Sequence, residues 1–353
     1  MVVVVGAVAS ASPLWVEPPP VPVLSASDPP AVEAESWLLF DDRNEVVLAE
    51  HNADVRHPMA STTKMMTALL AVEVGDLSSP VQVSRTAAEV GGAGVNLVEG
   101  EVFLLRTLVR ALLIRSGNDA AMAVAEHVGG TVEEFVGLMN QRAGELGLDD
   151  TSYANPHGLD HPEQYSTARD LLTLTREFLK HPELAEAVAT KQIALRDAPT
   201  GDTRVYQNTN SLLADYEGVF GVKTGFTQDA GRVLVAGVER DDRRLISVVM
   251  RTADHFAATT ALLDYGLHSV GSVPGMVATE LRISREQVLV SRPSTTTTTT
   301  VAAAETEVVT EAETEGVETA GERVPEAVRV GKTPEGVLDL LGWMLRLFSS
   351  GAG

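Results

Sequence analysis

A serine stands three residues before a lysine in "HPMASTTKMMTALLAVE", His57–Glu73, and an apolar-periodic stretch begins there. The chain has only five lysines (Lys64, Lys180, Lys191, Lys223 and Lys332), and none of the other four has a serine three positions before it. On a helix, residues i and i+3 share a face. Ser61 and Lys64 would then present hydroxyl and amine side by side near the helix N-terminus, where free N–H groups favour negative charge. Serine is a weak nucleophile without a base, and lysine is a base only when desolvation or a neighbouring cation lowers its pKa. Taken alone, S-x-x-K reads better as an ordinary helix start, with Ser61 as N-cap and Lys64 in water.

Two further segments change that reading. "RSGND" puts Ser116, Gly117 and Asn118 in the break between two apolar helices, where a hydroxyl and an amide project from a tight loop; alternatively they are a helix N-cap. "GVKTGFT" puts Lys223, Thr224 and Gly225 on a strand expected to be internal. A lysine there is costly unless it faces a cleft, and a glycine allows close approach to the backbone. The alternative is an edge-strand lysine near a bulge. The ordered set S-x-x-K, serine-x-asparagine and K-T-G is the signature of β-lactamases and penicillin-binding proteins, and Ser116–Asn118 is the sole S-x-N in the chain.

The elements that must position these residues follow from periodicity. "SWLLFD", a turn at "DRN" and "EVVLAEHN" predict a hairpin. Helical spacing runs over 61–72, 103–114, 119–128, 132–146 and 167–179. From Gln192 the period changes to two: "QIALRD", "VFGVKTG", "VLVAGVER" and "RLISVVMR" predict strands, and a last helix covers 257–265. Strands at both ends with helices between fit an α+β domain whose first hairpin joins the late strands in an antiparallel sheet.

The chain has 353 residues, 44 % of them hydrophobic, enough for a sizeable core. Its net charge of −22 argues against a nucleic-acid partner. Seven glutamates lie between Ala304 and Arg323, so part of the excess is local. The absence of cysteine excludes thiolate catalysis, cysteine-bound zinc and disulfides, and the scattered histidines offer no close metal-ligand pair. Neither a metal nor another cofactor is implied.

From about Glu35 to Tyr265 the chain resembles the low-molecular-mass penicillin-binding proteins, the serine-type D-Ala-D-Ala carboxypeptidases of peptidase family S11. The resemblance is carried by "RHPMASTTKMMTALLAVE", "LLIRSGNDAAMAVAEHVGG", "FVGLMNQRAGELGL", "NPHGLD", "YSTARDLL", "NTNSLL" and "GVKTGFTQDAGRVLVAGVERDDRRLISVV", in that family's order. It implies a β-lactamase/penicillin-binding-protein-like fold: a five-stranded antiparallel sheet flanked by helices, with a helical subdomain carrying Ser116. It further implies that Ser61 is the nucleophile and Lys64 the base. Ser116 would relay a proton to the leaving D-alanine, and Asn118 would orient Lys64 and the substrate amide. Lys223 and Thr224, followed by Gly225, would bind the terminal carboxylate, and the N–H groups of Ser61 and Phe226 would form the oxyanion hole. Peptidoglycan stem peptides and β-lactam antibiotics are the partners so implied. His157 in "NPHGLD" reads as a turn residue, and "GKTPEG" near the C-terminus, with Pro334 in place of the glycine, is set aside.

The expected layout is a signal-peptide remnant over 1–11, ending in Ala9-Ser10-Ala11, and a proline-rich linker over 12–34. A catalytic domain over 35–270 follows, then a short extension over 271–292, too short for the β-rich domain that family members often carry. A threonine- and glutamate-rich tether spans 293–330. An amphipathic helix over 331–353 ends the chain. Its apolar residues from Val337 to Phe348 would extend about 18 Å, too short to cross a bilayer. It would lie on the membrane surface, or else dock on protein. An exported, peripherally attached enzyme is the resulting expectation. Alternatives are a peptidoglycan DD-endopeptidase, a class A-like β-lactamase, or a non-catalytic wall-binding protein.

Overall fold

Both ends of the folded region contribute strands to one sheet. The computed structural model describes residues 29–196, 201 and 203–268; the expected leader, tether and C-terminal helix lie outside the described residues. Ala34–Asp41 (β1) and Val46–His51 (β2) form the expected hairpin. A 3-10 turn, Ala60–Thr63, leads into Lys64–Glu73 (α1). Pro80–Gln82 (β3) and Val102–Leu104 (β4) form a small ribbon around Arg85–Glu89 (α2). A helical region follows: Leu105–Ile114 (α3), Asn118–Gly129 (α4), Val132–Glu145 (α5), Ala168–Phe178 (α6) and Pro182–Ala189 (α7). Gln192–Arg196 (β5) pairs with Thr203–Gln207 (β6), and Leu212–Asp215 (α8) is a single turn. Val219–Thr227 (β7), Gly231–Arg240 (β8), Arg243–Thr252 (β9) and His255–His268 (α9) complete the described chain.

The main sheet is antiparallel, in the order β2-β1-β9-β8-β7. Helices cover it on both faces, which explains why "SWLLFD" is apolar without a polar alternation. Trp37 and Leu39 face α9, packing with Leu245, Val249, Leu262 and Leu263. Leu38 and Phe40 face the opposite core with Val248, Met250 and the helical region. At the centre of that core runs α1, buried from Lys64 to Ala71. A helix enclosed all round needs no polar face. Its first residue is nevertheless a lysine.

The internal position expected for the strand of Lys223 is not what forms. β7 is an edge strand, bulged between Val219 and Gly221, paired with β8 on one side only. Its free edge faces the Ala60–Thr63 turn. Lys223 is buried by that turn and the Ser116 loop rather than by a second neighbouring strand, so strand position and side-chain burial separate here.

Candidate active site

The Ala60–Thr63 turn is held by its own threonines. Thr62 Oγ1 donates to Met59 O at 2.6 Å and Thr63 Oγ1 to Ala60 O at 2.8 Å. Ala60 sits at φ +47°, a strained value for a residue with a Cβ. The turn leaves Ser61 partly exposed at the mouth of α1 while Lys64 is fully buried.

Lys64 Nζ lies 2.9 Å from Ser61 Oγ, 2.7 Å from Asn118 Oδ1 and 2.5 Å from the His157 carbonyl oxygen. Burial drives its pKa well below the ordinary lysine value, the charge of Lys223 adds to that, and Asp119 opposes it. Asn118 is fixed from two sides. Its Nδ2 donates to Gly91 O and its backbone N–H to Ala93 O, each at 2.7 Å. The neighbouring Asp119 carboxylate accepts from the N–H groups of Val95, Leu97 and Ala120, which ties the 91–97 loop to the start of α4.

Ser116, at φ +66°, projects from the break between α3 and α4, and Gly117 is the N-cap of α4 without a side-chain cap. Lys223 Nζ donates to Ser116 Oγ at 2.9 Å and to Thr224 O at 2.8 Å. Desolvation lowers the Lys223 pKa to about 7. Thr224 Oγ1 lies 2.7 Å from Thr209 Oγ1. Gly225 permits the approach of β7 to the serine turn: a Cβ there would stand 3.0 Å from Ala60 Cβ and 3.1 Å from the Ser61 nitrogen. Gly158, at φ +90°, is required still more strictly, since a Cβ would fall 2.0 Å from the Ala60 carbonyl oxygen. Phe226 is 62 % exposed at the rim.

A groove of about 480 Å³ runs between the sheet edge and the helical region. Ser61, Ser116, Asn118, Thr224, Gly225 and Phe226 all line it, while Lys64 and Lys223 stand behind the wall. The structure thus brings all eight sequence-predicted residues to one place. It adds the His157 carbonyl, which no side-chain pattern announces, and Thr209 from "NTNSLL". The His157 ring is buried, accepts from the Leu159 N–H, and has its pKa pushed down to about 4, chiefly by that burial. Among the described residues, Glu73, Glu177 and His181 could converge on a cation, but Arg142 bridges both glutamates.

The chain has counterparts among known proteins. A family model described as D-alanyl-D-alanine carboxypeptidase matches residues 23–254. The chain belongs to the D-alanyl-D-alanine carboxypeptidase family. Within it, the chain is 36 % identical over 253 residues to carboxypeptidase DacF of Bacillus subtilis, covering 69 % of this chain and 64 % of DacF. It is likewise 36 % identical over 221 residues to DacB2 of Mycobacterium tuberculosis, covering 62 % and 74 %. The chain thus spans just under two thirds of DacF. Among solved structures, the Streptomyces K15 DD-transpeptidase superposes with a TM-score of 0.65 at 28 % identity, covering 68 % of this chain and 98 % of that one. DacD of Francisella tularensis superposes at 0.62 with 30 % identity, covering 67 % and 70 %. The antiparallel five-stranded sheet with flanking helices is that of this family.

Proposed function

We propose that this chain is a serine D-Ala-D-Ala carboxypeptidase that removes the terminal D-alanine from peptidoglycan stem peptides through an acyl-enzyme on Ser61. The observation that carries the reading is the hydrogen-bond arithmetic at Lys64. A neutral amine has two N–H donors and one lone pair. Asn118 Oδ1 and the His157 carbonyl are acceptors only, and they take both donors. In the neutral form the remaining lone pair is left for Ser61 Oγ, 2.9 Å away, and can accept that hydroxyl's proton. That is the geometry of a base drawing a proton from a nucleophile. Burial and the Lys223 charge shift Lys64 toward the neutral form that the role requires.

The remaining steps follow the same residues. Ser61 Oγ attacks the carbonyl of the penultimate D-alanine, and the N–H groups of Ser61 and Phe226 receive the developing oxyanion. The proton held on Lys64 passes by way of Ser116, which bridges toward Lys223, to the leaving amine. Thr224 lines the groove where the terminal carboxylate would lie, and the charge of Lys223 acts on it from behind the wall. Water then hydrolyses the ester. A β-lactam carries a carboxylate beside a reactive amide and would acylate Ser61 in the same way. No carboxylate is among the described residues that line the groove, which disfavours a β-lactamase that activates a deacylating water through an acid. The substrate class supports an extracytoplasmic location, with the C-terminal segment as a peripheral membrane anchor.

Intact-mass spectrometry after penicillin, and then after a stem pentapeptide, tests the reading. Penicillin should add its mass on Ser61, and the peptide should lose one alanine. Ser61→Ala should abolish both, lowering kcat on the order of 10⁴-fold or more, with thermal unfolding nearly unchanged. A wild-type chain that takes no label and releases no alanine would overturn the proposal.

A further inference from the structure

We propose that Arg232 is the residue that grips the free carboxylate of the substrate, and so sets the preference for a chain end over an internal bond. The assignment presupposes the acyl-transfer reading above and names a residue which that reading leaves unused. Lys223 is poorly placed to meet the carboxylate directly. It is 1 % exposed, and both of its hydrogen bonds go to the protein, at Ser116 Oγ and Thr224 O. It acts on the groove from behind the wall.

Arg232 is exposed, lines the same groove, and has no hydrogen bond or ion pair among the described residues. That is unusual in a chain with 49 acidic against 27 basic side chains. Among the described arginines only Arg115 and Arg196 share the condition; Arg115 stands beside Ser116 on the opposite wall, and Arg196 ends β5, away from the groove.

Its place follows from strand register. Arg232 on β8 is the direct cross-strand partner of Phe226 on β7, which puts their Cβ atoms about 5 Å apart. In a bound C-terminal D-alanine, the carboxylate lies one residue span, about 3.5 Å, beyond the carbonyl that the Phe226 N–H would polarise. The flexible arginine covers that gap. Its guanidinium carbon stands 5.2 Å from the Phe226 ring centroid, a cation-over-ring contact that orients the planar group and leaves its N–H edge for a carboxylate. His255 beside it is buried, with Nδ1 unpartnered, and it lacks charge at neutral pH because burial and Arg232 hold its pKa near 4. Arg232 is therefore the exposed cation on the sheet side of the groove.

The test compares an acylated D-Ala-D-Ala acid with its C-terminal amide, on the full chain, alongside acylation by a penicillin and by its methyl ester. Wild type should favour the acid in both pairs. Arg232→Met should lower the rate on the acid forms roughly 10- to 100-fold, the usual worth of a charge-assisted hydrogen bond, and leave the amide and ester rates unchanged. Arg232→Lys should retain part of the preference, and Arg115→Met all of it. An acid-to-amide ratio unaltered in Arg232→Met overturns the proposal, as does a ratio that collapses in Arg115→Met instead. Wild type that neither releases D-alanine nor takes the penicillin label overturns this proposal and the carboxypeptidase reading together, whereas activity with an unaltered ratio overturns Arg232 alone.

Discussion

Lys223 and Lys64 are two amines that the fold holds at a loss. Each has a pKa in the folded chain below its unfolded value near 10.5, so between the two values the unfolded chain binds more protons. Stability then rises with pH across that window, about 7 to 10.5 for Lys223. Lys223→Met should therefore unfold at higher temperature than wild type near pH 7, and its stability should climb less between pH 7 and 9.5, measured by thermal melts across pH. The same variant should move the acid limb of the penicillin acylation profile to higher pH, because the Lys223 charge is part of what lowers the Lys64 pKa. An unmoved acid limb would mean that burial alone tunes the base. At this scale the sequence was highly legible: the S-x-x-K, S-x-N and K-T-G triads each mark side chains that meet. What it lacked was any sign of the His157 carbonyl, since a backbone acceptor has no residue type, or of the unpaired state of Arg232, which depends on every carboxylate that might have reached it.

Among the elements, β7 and the serine turn depend on each other most closely. The strand's free edge lies against the turn, and Gly225 is the contact point. Gly225→Ala would press a methyl against Ala60 Cβ, the Ser61 nitrogen and Met59 O at 3.0 to 3.3 Å. Two backbones that cannot rotate aside must part by a few tenths of an ångström. The expected result is an acylation rate reduced on the order of 100-fold, as when one oxyanion donor is lost, with a stability change of only about 1–3 kcal/mol. Stopped-flow acylation and thermal melts separate the two, and a large melt shift without rate loss would place the role of Gly225 in folding instead. Helix periodicity predicted α3, α5 and α6 closely because each carries an apolar face, and Thr131 and Thr167 supply side-chain N-caps; α4, buried continuously from Asn118 to Ala125, was marked instead by the break at Ser116–Asn118 before it. Periodicity missed α7, whose eight residues are too few for a stripe to show, and β6, whose polar "TRVYQ" gains strand form from pairing with β5. The edge position of β7, near a bulge, is the alternative that the sequence left open, and periodicity could not select it: a lysine buried by a loop looks, in sequence, like a lysine buried by strands.

For the whole molecule, the groove residues span Ser61 to Phe256, so every described residue that lines the groove lies within the family-matched region or just beyond it. The proposed anchor at the C-terminus can therefore be separated from the chemistry. Deletion of Gly331–Gly353 should leave the rate of D-alanine release from a soluble peptide unchanged and should abolish co-sedimentation with lipid vesicles. The sequence also sets the character of that attachment. Between Val337 and Phe348 apolar residues recur at helical spacing, and Arg346 is the one basic residue in that stretch. A single arginine contributes about 1 kcal/mol at an anionic surface, whereas each buried apolar side chain contributes about 1.5–3 kcal/mol before ordering costs are subtracted. Apolar burial dominates that sum, so binding should survive high salt and differ little between neutral and anionic vesicles. Full-length protein that leaves the vesicles as salt rises would require a basic patch elsewhere as the anchor. Truncated protein that still sediments would assign the segment to a protein contact instead.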